Sequence, residues 1–135
     1  MIELMIRVLI ADDHALVRRG LRALIEHIKN VEVVGEAVDG IEAVNLVEEL
    51  SPDIVVMDIA MPRLDGIGAI KQIRQLNVPS RIVMLSMYDN PDLVQKALEE
   101  GAVGYLIKRA VSEELALAIE QVSQEKIFIS RHISQ

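Results

Sequence analysis

The chain has 135 residues, 51% hydrophobic and 26% charged, with 14 Lys+Arg against 21 Asp+Glu for a formal net charge of -7. That length suffices for one domain with a real core and falls short of two ordinary ones, and the hydrophobic share excludes intrinsic disorder. There is no cysteine, which excludes disulfide frameworks, thiolate metal sites and thiol catalysis. An acidic balance argues against gripping nucleic acid or anionic lipid by charge alone. The longest unbroken apolar run, Leu115 to Ile119, is five residues, far below the ~18 that span a bilayer. The N-terminal stretch carries Glu3 and Arg7 and lacks a small-residue cleavage site, so it does not read as a signal peptide. The expectation is a soluble cytoplasmic domain with no membrane contact.

Five short runs rich in Val and Ile read as strands: Ile6–Ala11, Val31–Ala37, Asp53–Met57, Arg81–Leu85 and Val103–Ile107. Most are nearly continuous in hydrophobicity, as strands buried on both faces should be. Their starts lie 22 to 28 residues apart, room for one crossover helix each time. Apolar residues at helical spacing mark the first helix (Val17, Leu21, Leu24, Ile28) and the last (Leu115, Ile119, Val122). Asp39 is placed to cap the second helix, which Ser51-Pro52 ends. Asn90 and Pro91 open the fourth, and Gly101 closes it. Ser112 is the expected cap of the last helix, with Glu113 and Glu114 in its first turn. The pattern predicts an α/β fold: a doubly wound parallel (βα)5 sheet over residues 1–124, of order 2-1-3-4-5. Residues 125–135 read as a tail or the start of a linker.

Polar residues follow the apolar runs at fixed places. Asp12 and Asp13 come after strand 1, Asp58 after strand 3, Ser86 after strand 4 and Lys108 after strand 5. In open α/β sheets ligands bind at the carboxyl ends of the strands, where strand order reverses. The predicted order brings these residues to one edge. Two carboxylates ~5 Å apart repel by about 3 kcal/mol at an effective dielectric near 20. Three acids against one lysine therefore call for a divalent cation, and oxygen donors suit Mg2+, with Mn2+ as the alternative. Asp58 lies between the strand 1 acids and the Ser86/Lys108 pair. It is thus the better phosphoryl acceptor, since carboxylates form aspartyl phosphates and phosphoryl transfer needs mainly positioning and charge neutralisation.

At these residues the chain resembles the receiver domain of two-component response regulators. The resemblance rests on Asp12-Asp13, Asp58-Ile59-Ala60-Met61-Pro62, Leu64-Asp65-Gly66, Leu85-Ser86, Gly101-Ala102 and Gly104-Tyr105-Leu106-Ile107-Lys108. It implies a flavodoxin-like fold and phosphorylation of Asp58 by a sensor histidine kinase. It also implies Mg2+ held by Asp12, Asp13, Asp58 and the backbone carbonyl of Ala60, with Ser86 and Tyr105 as the switch pair. Asp13-His14-Ala15-Leu16-Val17-Arg18, Gly20-Leu21 and Ser86-Met87-Tyr88-Asp89 are similar to the NarL/FixJ subfamily. That likeness implies transcriptional control through a C-terminal LuxR-type DNA-binding domain absent from these residues, with homodimerisation on phosphorylation. One departure is Arg109 after Lys108, where many receivers carry proline after a cis peptide.

Taken singly, each residue has a plainer reading. Asp12-Asp13 would cap the first helix, Asp58 would be a loop acid, and Ser86 a hydroxyl satisfying backbone. Lys108 would be a snorkelling surface lysine and Tyr105 a core aromatic. His14 reads as a first-turn surface residue and His27 and His132 as solvated, none of them as a ligand, and Arg18, Arg19 and Arg22 read as a solvated basic stripe that also suits kinase docking. Three other functions suit the same architecture but not these residues. A flavin or nucleotide binder needs a Gly- or Ser/Thr-rich turn after strand 1, where Ala11-Asp12-Asp13-His14 stands instead. A metal-dependent phosphatase of the haloacid dehalogenase kind needs Asp-x-Asp, but position 14 is His. A phosphorylation-independent interaction module would not need the complete acid, hydroxyl and lysine set.

Overall fold

The structure, a computed structural model, describes residues 4–134. In chain order the elements are β1 (Ile6–Ala11), α1 (Ala15–Glu26), β2 (Val31–Ala37), α2 (Gly40–Leu50), β3 (Ile54–Asp58) and α3 (Gly66–Gln75). There follow β4 (Arg81–Ser86), α4 (Pro91–Glu100), β5 (Gly104–Ile107), a 3-10 turn (Lys108–Ala110), α5 (Val111–Ser123) and β6 (Phe128–Ile129). All strand pairs are parallel, in the order β2-β1-β3-β4-β5-β6. The doubly wound flavodoxin-like sheet read from the sequence is present, with one strand more at its edge.

Alternate residues of each central strand feed two separate cores, which is why the runs are apolar throughout. Leu9, Val55, Met57, Met84 and Tyr105 pack with Val47, Ile70 and Val94 of α2, α3 and α4. Val8, Ile10, Val56, Leu85 and Leu106 pack on the other face with Leu21 and Ile25 of α1 and Leu115 and Ile119 of α5. No helix among the described residues is long and apolar enough to cross a membrane.

Most of the helix punctuation agrees with the sequence reading. Asp39 accepts from the Glu42 N–H at 2.8 Å, Pro91 stands in the first turn of α4, and Gly101 ends it at φ 120°. Ser112 is a correction. Helix α5 starts two residues earlier than a Ser112 cap would place it, its cap is Ala110 with no side-chain bond, and the 3-10 turn after β5 leads straight into it. The turn satisfies early donors through its own backbone, so a serine cap is not needed. Among the described residues every peptide is trans, that between Lys108 and Arg109 included.

Residues read as a tail contribute β6. Phe128 and Ile129 pair with Gly104 and Tyr105, and the Ser130 N–H reaches the Tyr105 carbonyl at 2.8 Å. A buried carboxylate on α5 holds this segment: Glu114 accepts from Ser130 Oγ at 2.6 Å and from the Arg131 N–H at 3.1 Å. Three apolar residues, Ile127, Phe128 and Ile129, are too short a run to announce a strand; the anchor is a tertiary contact.

The β3–α3 loop turns back tightly beneath the sheet edge. Asp65 caps α3 by accepting from the Gly68 N–H at 2.7 Å, and the Gly66 N–H returns to the Ile59 carbonyl at 2.9 Å. A Cβ on Gly66 would lie 2.5 Å from Met84 Cε, 2.7 Å from the Asp58 carbonyl oxygen and 2.8 Å from Ile59 Cα. Two of those atoms are backbone and cannot rotate away. Gly66→Ala is therefore expected to lower unfolding stability by about 1–3 kcal/mol in urea titration; an unchanged midpoint would show that the loop relaxes freely.

Candidate functional site

The strand register places the polar residues. Ala11 pairs with Met57, so Asp12 and Asp58 follow neighbouring positions at the switch point between β1 and β3. Asp58 itself pairs with Leu85, and Ser86 with Ile107, so Lys108 leaves β5 one step beyond Ser86. Sequence-distant side chains thereby meet at the carboxyl edge.

Asp58 is only 2% exposed. Its Oδ1 accepts from the Ala60 N–H at 3.1 Å and its Oδ2 from Lys108 Nζ at 2.9 Å. The same ammonium stands 3.3 Å from Oδ2 of fully buried Asp12. One positive charge is thus shared by two carboxylates. Burial pushes the Asp58 carboxyl above its usual value; the Lys108 and Ala60 bonds oppose this, and the charge of Asp12 adds to the rise. Burial works to lower the Lys108 ammonium, but its hydrogen bond and attraction to Asp58, with Asp12 added, carry it above the ordinary lysine value.

Asp12 is held from several sides. Its N–H meets the Ala37 carbonyl at 3.0 Å, and its Oδ1 accepts from the His14 N–H at 2.8 Å. Its carbonyl accepts from Arg18 Nη1 at 2.8 Å. Asp12 Oδ2 is buried and takes no hydrogen bond, with the Lys108 ammonium as its charged neighbour. Oxygens or nitrogens of Asp12, Asp13, His14 and Asp58 all lie within 4.8 Å of one another. Buried, under-neutralised carboxylate oxygens in such a group fit a hard divalent cation.

Among the described residues Ser86 and Tyr105 make no hydrogen bond to Asp58, and both bond to Tyr88. Ser86 Oγ accepts from the Tyr88 N–H at 2.9 Å, and the Tyr105 hydroxyl donates to the Tyr88 carbonyl at 2.9 Å. Both residues are fully buried, and burial pushes the Tyr105 phenol above its ordinary value.

Comparison with known proteins decides the family. The response regulator receiver domain profile matches residues 8–120. The chain belongs to the response regulator receiver family. It is 49% identical over 121 residues to the transcriptional regulatory protein LiaR of Bacillus subtilis, covering 89% of this chain and 57% of that one. To the response regulator UvrY of Escherichia coli it is 39% identical over 131 residues, 97% of this chain and 60% of the other. A crystal structure of a LuxR-family two-component response regulator from Aurantimonas superposes with a TM-score of 0.91 at 40% identity, covering 96% of this chain and 92% of that one. The NarL/FixJ (LuxR-type) resemblance is thereby carried by whole-domain similarity. The chain spans about six-tenths of the length of these curated relatives. The interaction-module and phosphatase readings are not favoured.

At this receiver site His14 is the surface residue the sequence leads one to expect, exposed at the start of α1, with its Nδ1 3.1 Å from Asp13 Oδ1 and 3.3 Å from Asp12 Oδ1. The structure departs from the sequence reading at the arginines. Arg18 and Arg22 are no free basic stripe: their Nε atoms bind the two oxygens of Glu36 on β2 at 3.1 and 2.8 Å. The i,i+4 spacing of the arginines and a lone acid near the end of β2 are the legible signals. Asp12→Asn is expected to raise the metal-free melting temperature, because one of two facing negative charges goes, and to abolish the Mg2+-dependent rise. Scanning calorimetry in EDTA and in Mg2+ checks both signs.

Proposed function

We propose that Asp58 is the phosphoacceptor of this receiver and takes its phosphoryl group from the phosphohistidine of a sensor histidine kinase. The observation that carries the reading is the shared Lys108 ammonium, 2.9 Å from Asp58 and 3.3 Å from Asp12. In the transfer, an Asp58 carboxylate oxygen forms the new O–P bond as the P–N bond to the kinase imidazole breaks. The carboxylate's single charge becomes the double charge of an acyl phosphate, which the site has to neutralise. Lys108 exchanges its Asp58 oxygen for a phosphoryl oxygen. The Ala60 N–H, already on Asp58 Oδ1, keeps the acceptor oriented.

Asp12, Asp13, Asp58 and the carbonyl of Ala60 would hold Mg2+, with Mn2+ able to replace it. The cation supplies charge neutralisation for phosphate oxygens. Ser86 and Tyr105 form the switch pair, joined through Tyr88. Displacement of that loop is the readout, and a ligand shifts a two-state equilibrium only through such differential contacts. The domain read from the sequence as residues 1–124 extends through β6, whose two residues pair with β5, and leads on to a DNA-binding effector domain, with homodimerisation on phosphorylation. It works in the cytoplasm, without membrane contact, and is not an enzyme on external substrates; it assists only its own phosphorylation and dephosphorylation.

Intact mass after acetyl phosphate treatment tests the acceptor. The native chain should gain one phosphoryl group in Mg2+ and none in EDTA, and Asp58→Asn should gain none. Undiminished labelling of Asp58→Asn would move the acceptor elsewhere. Lys108→Ala should still be labelled in Mg2+ yet lose the phosphorylation-dependent change in amide exchange at residues 86–90. A native exchange response in that variant would remove Lys108 from the switch.

A further inference from the structure

The chemistry of the acid cluster is not all oxygen. His14 is the residue capping α1, and its side chain is 64% exposed, so the ring stands between the buried acids and water. Its Nδ1 faces inward at 3.1 Å from Asp13 Oδ1 and 3.3 Å from Asp12 Oδ1. With bonds of about 2.1 Å, neighbouring ligand atoms of an octahedron stand about 3 Å apart and opposite ones about 4.2 Å. The Nδ1 distances match the former spacing, and the whole group lies within 4.8 Å. Behind it, Asp12 Oδ2 is buried without a hydrogen bond.

Resting on the reading of this cluster as the cation site, we propose that it also takes a divalent transition ion of the Mn2+, Co2+ or Zn2+ class, with the His14 imidazole as a nitrogen ligand beside Asp12 and Asp13. Mg2+ prefers oxygen and gains little from an imidazole, whereas these ions bind nitrogen well. His14 therefore makes the site discriminate among divalent cations. Nδ1 is the ring nitrogen nearest the two carboxylates, and its lone pair is the one that would bind the metal. His27 and His132 are outside the group, so the nitrogen signature belongs to one residue.

The test uses the untagged chain loaded with one equivalent of Mn2+ and electron spin echo envelope modulation. The expected result is a directly coordinated 14N pattern that changes to 15N when only histidine is 15N-labelled, and that His14→Gln removes. In calorimetric titration, His14→Gln should weaken Co2+ binding about tenfold or more and change Mg2+ binding less than twofold. The labelled-histidine arm needs no variant, so a folding defect cannot hide the answer. Mn2+ that Mg2+ displaces but that shows no histidine nitrogen overturns the role of His14 and leaves the carboxylate cation site standing. Modulation that survives His14→Gln overturns that role equally. Mn2+ that Mg2+ does not displace and that Asp13→Asn does not weaken overturns the cation site itself, and this proposal with it.

Discussion

One ammonium group arranges the carboxyl edge of this sheet. Lys108 Nζ lies between Asp58 and Asp12, whose side chains are almost wholly shielded from water. Two buried carboxylates this close could not both stay ionised in an apolar surrounding. The lysine neutralises only one of them, and its cost of burial is itself met by the pair. The site is therefore stable as a fold element yet still short of positive charge. That residual deficit leaves negative charge unneutralised on the Asp12/Asp13 side, and it gives Lys108 two anionic oxygens within reach.

Charge shortage of this kind requires rigid support, and the support comes from the topology. β1 and β3 are neighbours with β2 and β4 outside them, so the acids stand where the crossovers diverge. The β1 end is fixed by Arg18 on the Asp12 carbonyl and by Glu36, which ties Arg18 and Arg22 to β2. The β3 end is fixed by the return of the Gly66 N–H to Ile59 beneath it. Precision at the acids thus derives from main-chain bonds and one arginine, while Asp12 Oδ2 itself takes no hydrogen bond.

The strands are legible in the sequence because burial on both faces leaves continuous apolar runs, and four polar side chains at the run ends are legible because strand order in open sheets is restricted. Asp12, Asp58, Ser86 and Lys108 all come to the same edge on that basis. What escapes is decided by tertiary partners. Ser112 has the look of a cap, but the 3-10 turn after Lys108 supplies backbone bonds in its place. Phe128 and Ile129 look like part of a tail because their strand exists only through β5 and the buried Glu114. Arg18 and Arg22 look solvated because helical spacing says which way a residue points and not what stands opposite, here Glu36.

The segment from Ser86 to Asp89 gathers more bonds than its length suggests. Ser86 Oγ takes the Tyr88 N–H, the Tyr105 hydroxyl donates to the Tyr88 carbonyl, and the Ser134 N–H donates to the Asp89 carbonyl at 2.8 Å. Tyr105 is also the strand partner of Ile129, and its own carbonyl takes the Ser130 N–H. Loop, buried tyrosine and the chain beyond α5 therefore form one hydrogen-bonded unit. Packed interiors hold discrete arrangements and do not deform continuously. A shift of this loop cannot stay local: it must either keep Tyr105 and β6 in place by breaking these bonds or carry them along.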